Sequence, residues 1–265
     1  MLRIGKFIIF LTIIALISGC SSNSGGITLK KGTLIVGIEI GYPPMEYMAD
    51  DGITPVGFDI SLAKAIADKM GLKVQFVDTA WEGIFAGVNT GRYDCIISSV
   101  TIIPERLVTF NFSKPYIKTN LALVMLKNTN HNVRSPLDLW GLGVAYQEAT
   151  TSDYYMRKLG QEGLKYIPYE YDKVMYCFEE LRLGRVDAVM TDLLVANEYL
   201  ARSDIYEIVW HGIEEEFGIC MKKGNDELTE EINRALDELF ENGTILRISM
   251  ETFNGKDYVS AVRSR

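Results

Sequence analysis

The sequence predicts an α/β fold with parallel, doubly wound sheets. Three observations predict it. Short runs of β-branched and other apolar residues, beginning with Thr33–Ile38, are typical of buried central strands. Segments with apolar residues at helical spacing, such as Ile66 and Met70, follow these runs. The two kinds of segment alternate along the chain, which implies parallel strands joined by helical crossovers.

The elements are predicted in the following order. Strands are expected over residues 33–38, 74–77, 93–97, 121–126, 143–146, 186–192, 206–210 and 217–221. Helices are expected from Asp59, Trp81, Pro104 and residues 150–153, and over residues 173–183, 193–200 and 227–241. Asp59 suits the N-cap of its helix, and Pro104 suits a first turn, where a missing N–H costs nothing. The acidic run Glu214–Glu216 is interpreted as a solvated turn.

The first 19 residues have the pattern of a signal peptide. Arg3 and Lys6 form a basic start, and the apolar run Phe7–Ile17 is interrupted only by Thr12. This run is shorter than the ~20 residues that a membrane span needs. We therefore expect residues 1–19 to be a signal sequence, with the mature chain in the extracytoplasmic space.

The end of this segment resembles the lipobox of bacterial lipoproteins. The residues Ile17-Ser18-Gly19-Cys20 carry the resemblance. It implies cleavage before Cys20 and a lipid anchor on that cysteine; the alternative is an ordinary secretory signal with an incidental cysteine. Residues 20–26 continue as a polar, flexible tether, so the domain is expected to sit on a membrane surface, held by lipid.

Charge and cysteine content exclude several classes of protein. The formal charge is −8, and removing Arg3 and Lys6 with the signal leaves −10. An acidic chain without a basic stripe is not expected to bind nucleic acid. After Cys20, the cysteines at positions 95, 177 and 220 fit no metal motif. They are expected to be buried apolar residues; the alternative is that two of them form a disulfide. No metal or cofactor is predicted.

The stretch Ser98–Arg106 is the strongest candidate for a binding site. It follows a short apolar strand and ends in a helix that starts at Pro104. Ligands bind at the carboxyl ends of strands in open α/β sheets. A guanidinium beside a helix N-terminus suits a carboxylate. From this local pattern alone, Arg106 could equally be a surface residue in a local ion pair.

Several short motifs in a fixed order resemble the amino-acid-binding family of extracytoplasmic solute-binding proteins, family 3, which feed ABC importers. The motifs are 37–44, Gly57-Phe58-Asp59, Trp81-Glu82-Gly83, the series Asp94…Thr101…Glu105-Arg106, Phe112-Ser113-Lys114-Pro115-Tyr116 and Asp187…Asp192. The resemblance covers about residues 30–255. It implies a two-lobed, periplasmic-binding-protein-like (type II) fold, with two α/β lobes joined by two hinge strands and a ligand between them.

The resemblance also implies domain boundaries. Lobe 1 would comprise residues 27–117 and 217–265, and lobe 2 residues 121–213. The hinge would lie near 118–120 and 214–216. Closure of the two lobes about such a hinge is a common way to trap a ligand.

By position in the motifs, Arg106 resembles the clamp for the ligand α-carboxylate, and Asp192 the acceptor for its α-ammonium. Ser99 and Thr101 resemble the residues that assist Asp192 in binding the α-ammonium. Thr150 and Thr151 stand at a predicted helix start, where the helix dipole favours a carboxylate. A zwitterion that leaves water needs both charges matched. The alternative for Asp192 is that it only caps a helix.

The remaining predicted site residues concern the ligand side chain. They are Glu39, Tyr42, Trp81, Ser98 and Gln147. A carboxylate between two aromatic faces suits a guanidinium or ammonium, and Glu39 resembles the arginine-binding members. We expect a cationic L-amino acid: arginine first, then lysine or ornithine. Alternatively, Glu39 pairs with a neighbour and the ligand is glutamine or cystine, and the two aromatic residues are ordinary core residues.

Two functions other than transport are consistent with parts of this sequence. The same scaffold hosts a periplasmic dehydratase for prephenate-like acids, which needs a carboxylic acid to protonate a leaving hydroxyl. Glu39 or Glu148 could serve, but the match at Asp192 favours a ligand with an amino group. A sensor would need to dock on a membrane partner. We therefore expect a monomeric binding protein, not an enzyme, whose partners are a free L-amino acid, ABC permease subunits and a membrane surface.

Overall fold

The structure is a computed structural model that describes residues 26–263. The predicted signal peptide, the lipidation site Cys20 and almost all of the tether lie outside the described residues. The strands are β1 Thr33–Ile38, β2 Tyr47–Met48, β3 Pro55–Val56, β4 Lys73–Asp78, β5 Cys95–Ile96, β6 Phe110–Phe112, β7 Ile117–Leu126, β8 Gly143–Gln147, β9 Ile167–Tyr171, β10 Ala188–Asp192, β11 Tyr206–Phe217 and β12 Cys220–Lys222. The helices are α1 Phe58–Lys69, α2 Trp81–Asn89, α3 Pro104–Thr109, α4 Thr151–Gln161, α5 Val174–Arg182, α6 Leu193–Arg202, α7 Asp226–Glu241 and α8 Thr244–Thr252.

The first sheet has the strand order β4-β1-β5-β12-β6. Its strands β4, β1 and β5 run parallel, and β12 pairs antiparallel with both β5 and β6. Neighbouring residues of β5 enter opposite cores, because successive side chains of a strand point to opposite faces. Cys95 packs in the cluster that contains α1, α7 and α8, whereas Ile96 packs in the cluster that contains α2.

The second sheet has the order β11-β7-β10-β8-β9. Strands β10, β8 and β9 run parallel, whereas β7 pairs antiparallel with β10 and β11. One face packs on α4, with Met156 in its cluster, and the other on α5 and α6, with Phe178 and Val195. Both sheets are thus covered by helices on both faces, which confirms the predicted α/β class.

The long strands β7 and β11 join the two sheets. They pair from Ile117/Phe217, which pack in the core of the first sheet, to Leu126/Tyr206 in the second sheet. The predicted hinge residues lie in this ladder, where Asn120 pairs with Glu214 and Lys118 with Glu216. The first sheet draws on strands before β7 and after β11. The lobe boundaries at 27–117, 217–265 and 121–213 stay a prediction.

Some predicted elements differ from the observed ones. Asp59 is not an N-cap; Gly57 holds that position, and Asp59 lies fully buried in the first turn of α1. The run Glu214–Glu216 is not a turn but part of β11. Strands β2, β3, β6 and β9 and helix α8 were not predicted. The three cysteines of the described residues, at positions 95, 177 and 220, are buried and free. No helix within residues 26–263 has the length and apolar character to cross a membrane.

Candidate functional site

The candidate site lies where carboxyl ends of parallel strands from both sheets face each other. Strand β1 ends just before Glu39, β5 leads into Ser98, β8 ends at Gln147 and β10 ends at Asp192. Loops at these ends are free to present side chains, because the sheets behind them are rigid. The predicted site residues therefore come from four strand ends and from the starts of three helices, α2, α3 and α4.

Arg106 is buried at the start of α3. Pro104 opens this short helix. The Nη1 atom of Arg106 donates to the carbonyl oxygen of Thr101 at 3.0 Å. The guanidinium carbon lies 5.5 Å from the ring centre of Trp81 and 5.0 Å from that of Phe85, so both rings help to hold the cation. The Nη2 atom is buried and has no partner among residues 26–263, which leaves donors for an anion.

Buried carboxyl groups accept hydrogen bonds from the Ser98–Thr101 loop. Ser99 has a positive φ of 51°, a conformation that costs energy for a residue other than glycine. Its backbone N–H donates to Asp59 Oδ2 at 2.7 Å, and its hydroxyl donates to the same atom at 3.3 Å. Ser98 donates to Glu46 Oε1 at 2.7 Å and accepts from the Glu39 N–H at 3.0 Å. Asp59 and Glu46 therefore position this loop.

Asp192 ends β10 and stands at the N-cap of α6, but its side chain makes no capping hydrogen bond. Instead its Oδ2 accepts a hydrogen bond from the Tyr42 hydroxyl, which comes from the loop after β1. The carboxyl group is buried, and burial raises its pKa, whereas hydrogen bonds and the charge of Arg106 lower it. Asp192 thus faces residues of the other sheet rather than its own helix.

Glu215 is a buried residue of this site that sequence reasoning missed. It lies on β11, and its side chain lies close to those of Asp192 and Thr151. Burial, followed by the charge of Asp192, raises the pKa of Glu215 well above its ordinary value. The signal was present in the alternation of the strand, since Glu215 is buried while Glu214 is exposed.

Glu39 and Gln147 form the other end of the site. Gln147 Nε2 donates to Glu39 Oε2 at 2.7 Å and to the carbonyl oxygen of Asp172 at 3.0 Å. Glu39 Oε1 is buried and has no partner among the described residues. Burial raises the pKa of Glu39 to about 7, against the lowering effects of Gln147 and Lys173. This carboxyl group can accept a cation, which would give its Oε1 atom a directly bonded partner.

The start of α4 contributes the polar groups opposite Arg106. Thr150 is the N-cap and accepts from the Asp153 N–H, and its hydroxyl donates to the Gln147 carbonyl at 2.7 Å. Ala149 has a positive φ of 58°, and its carbonyl accepts from the Trp81 indole at 3.0 Å. This contact connects helix α2, which packs on the first sheet, with the loop before α4, which packs on the second sheet.

The site residues line two spaces. A cavity of about 820 Å³ is lined by Thr101, Arg106 and Thr151 together with Glu215 and Tyr154. A pocket of about 20 Å³ has seven predicted residues on its wall: Glu39, Tyr42, Trp81, Ser98, Ser99, Gln147 and Thr150. Asp192 lines neither space but contacts Tyr42 on one side and Glu215 on the other. Among residues 26–263 no group of three His, Cys, Asp or Glu side chains could hold a metal.

Comparison with known proteins identifies the family of this chain. The family model described as "Bacterial extracellular solute-binding proteins, family 3" matches residues 34–255. The chain belongs to this family. It shares the two-lobed α/β fold of the family's amino-acid-binding members, as the sequence predicted.

Three similar proteins illustrate the range of relatives. The L-cystine-binding protein TcyJ of Escherichia coli (strain K12) is 30% identical over 248 residues, which cover 91% of this chain and 92% of that protein. The arginine-binding extracellular protein ArtP of Bacillus subtilis (strain 168) is 29% identical over an alignment that covers 91% of this chain and 93% of that protein. The structure of an ancestral arginine-binding protein bound to arginine is 38% identical with a TM-score of 0.80, covering 84% of this chain and 99% of that one.

Proposed function

We propose that this protein captures a free L-amino acid between its two lobes and delivers it to the permease of an ABC importer. One observation supports this most strongly: a buried cation, Arg106 on α3, and a buried anion, Asp192 at the end of β10, lie close enough for the charge of Arg106 to act on Asp192. Arg106 keeps an unpartnered buried donor, Nη2, among the described residues. A ligand carboxylate would satisfy it.

The head group of an amino acid complements this arrangement. Its α-carboxylate would take the free donor of Arg106 and polar groups near Thr101, Thr150 and Thr151. Its α-ammonium would bind Asp192, helped by Ser99. Charges that leave water need partners, because an unpaired buried charge costs several kcal/mol. A zwitterion brings one charge of each sign to a site with one of each.

We further propose that the ligand is cationic, with arginine first and lysine or ornithine next. Glu39 Oε1 is a buried acceptor without a partner in the described part of the chain, and Tyr42 and Trp81 line the same pocket. ArtP and the ancestral protein are named for arginine. The second candidate is cystine, since TcyJ is named for it; glutamine is the remaining alternative.

Ligand entry requires the cleft to open in this proposal. The small pocket of about 20 Å³ has room for about one water molecule, and hydrogen bonds such as Gln147–Glu39, Tyr42–Asp192, Trp81–Ala149 and Lys173–Ile40 cross the cleft. Lobe 1 (27–117 and 217–265) and lobe 2 (121–213) would separate about β7 and β11, then close on the ligand. The protein would act as a monomer, lipid-anchored at Cys20 on the extracytoplasmic side of a membrane.

Calorimetric titration of ligand-stripped protein with a panel of amino acids tests the proposal. Arginine should bind tightly, ahead of lysine and ornithine. Arg106→Ala should weaken every ligand by about 100-fold or more, because the carboxylate loses its buried partner. Arg247→Ala, which removes an arginine paired with Glu251 at the surface of α8, is the matched control.

Three outcomes separate the alternatives. Tight binding of cystine or glutamine without arginine binding would contradict the cationic ligand but keep the transport function. If no amino acid produced a heat of binding, the proposed transport function itself would be contradicted. Turnover of arogenate or prephenate would instead favour the dehydratase.

A further inference from the structure

The carboxyl groups of Glu215 and Asp192 lie against each other beside Arg106. Asp192 ends β10 and Glu215 lies on β11, and their carboxyl groups lie within hydrogen-bonding reach of each other. Two ionised carboxylates carry only acceptors, so a hydrogen bond between carboxyl groups requires a proton on one of them. Both residues are buried, Asp192 with 6% and Glu215 with 5% of its surface exposed. The pair therefore holds one proton.

The surroundings place this proton on Glu215. Asp192 accepts from the Tyr42 hydroxyl, which stabilises its ionised form. Glu215 Oε2, in contrast, is buried without an N–H or O–H donor among residues 26–263. An ionised oxygen without a donor is costly in a buried site. Protonated Glu215 donates to Asp192 and removes this cost.

The other groups that face Glu215 are consistent with a single proton on the pair formed by Glu215 and Asp192. Arg106 of α3 is the cation beside it, Tyr42 approaches from the loop after β1, and Thr151 of α4 lines the same cavity as Glu215. Lys118, on the neighbouring strand β7, pairs with Glu214 at 2.7 Å. With Glu215 neutral, the charges of Arg106 and Asp192 cancel.

We propose that Glu215 is a ligand-contacting residue of the amino-group subsite and acts there as a neutral carboxylic acid, an inference that rests on the proposed function. When an amino acid binds, its carboxylate and ammonium add one charge of each sign. The filled site then carries no net charge only if Glu215 keeps its proton. The ammonium has three N–H groups, and the carbonyl oxygen of Glu215 offers an acceptor beside that of Asp192.

This assignment gives the two acids different tasks. Asp192 supplies the single negative charge and so selects a head group with one ammonium. Glu215 supplies hydrogen bonds and connects the subsite to β11, one of the two strands that join the sheets. Glu215→Gln should therefore be tolerated, because a glutamine amide can donate to Asp192 and accept from Thr151. Asp192→Asn should not be.

Infrared difference spectroscopy tests the proton directly. The C=O stretch of a protonated carboxyl group should be present in the wild-type protein and missing from Glu215→Gln, whereas other buried acids contribute equally to both and cancel. Addition of arginine should shift this band but not remove it. Glu207→Gln, on the same strand but away from the site, is the matched control. A wild-type spectrum that equals that of Glu215→Gln, or a band lost on arginine binding, would overturn the proposal.

Binding measurements test the role in recognition. We expect Glu215→Gln to bind arginine within about 3-fold of the wild type, and Asp192→Asn to lose about 100-fold or more. Because Glu215 is neutral with and without ligand in this proposal, the wild type and Glu215→Gln should show the same dependence of arginine affinity on pH between about pH 5.5 and about pH 8. Profiles that diverge in this range, or a loss in Glu215→Gln as large as in Asp192→Asn, would overturn it. If no amino acid bound the wild type, the transport proposal would fail, and the infrared band would still show whether Glu215 is protonated.

Discussion

The side-chain amide of Gln147 donates a 2.7 Å hydrogen bond to the carboxyl group of Glu39 across the cleft. The two residues are 108 positions apart in the chain and belong to different sheets. Their contact occupies the pocket of about 20 Å³ that the proposed ligand side chain would enter. A guanidinium or ammonium would therefore replace a neutral amide at Glu39 and bind this buried acid directly with a positive charge.

Replacement of Glu39 should change ligand preference rather than abolish binding. In Glu39→Gln the head-group site is intact, but the side chain of arginine loses its charge partner. We expect arginine affinity to fall by about 30-fold to 1,000-fold, with little change for glutamine, as measured by calorimetry. Glu162→Gln, at the exposed end of α4, should match the wild type. An equal loss for arginine and glutamine would instead assign Glu39 a structural role.

Arginine affinity should depend on pH through Glu39. Burial raises the pKa of this carboxyl group to about 7 in the ligand-free protein, and a bound cation would lower it. Below that pH the proton must leave before the guanidinium can pair, so affinity should fall by about tenfold per pH unit, and above it affinity should level off. Titrations from about pH 5.5 to about pH 8 would show this slope. Glu39→Gln should lack it, and a flat wild-type profile would contradict the assignment.

The stability of the ligand-free protein should respond to the same group with the opposite sign. The pKa of Glu39 is raised from its ordinary 4.5 to about 7 on folding, so the folded state holds the proton more tightly than the unfolded chain. The favourable contribution is complete below about pH 4.5 and is lost as the pH rises to about 7. Relative to Glu39→Gln, the unfolding free energy of the wild type should decline by about 3 kcal/mol across this window. Denaturant titrations at several pH values would measure it, and parallel curves for the two proteins would contradict it.

The sequence predicted the α/β class and a set of site residues that the fold brings together, because both depend on local patterns. Strand ends carrying serine, threonine and acidic residues are visible one at a time, and parallel order places them on one edge. The lengths of β7 and β11 were underestimated for a different reason. Their polar ends, 117–120 and 211–216, are stabilised by pairing with each other, and a single segment does not show its partner.

The environments of Glu215 and Asp59 differ from those that the local sequence predicted. The three acids 214–216 indicated a solvated turn, yet Ile213, Glu215 and Phe217 lie in a strand in which Glu215 and Phe217 are buried. Asp59 precedes an apolar helical stripe and so resembled an N-cap. Its actual partners, Ser99 and Tyr116, are distant in sequence. Tertiary hydrogen bonds can bury an acid where local rules favour exposure.

Asp59 should therefore be required for both stability and binding. It accepts from the N–H of Ser99 at 2.7 Å and from the Tyr116 hydroxyl at 3.1 Å, and it holds Ser99 at a positive φ. Asp59→Ala leaves these buried donors without an acceptor, and we expect a loss of about 3 kcal/mol in the unfolding free energy. Because the Ser98–Thr101 loop then shifts, affinity for every amino acid should fall by about tenfold or more. Asp68→Ala, on the exposed side of the same helix, is the control for thermal unfolding and calorimetry. Wild-type affinity in a folded Asp59→Ala protein would show that the loop keeps its shape without this carboxyl group.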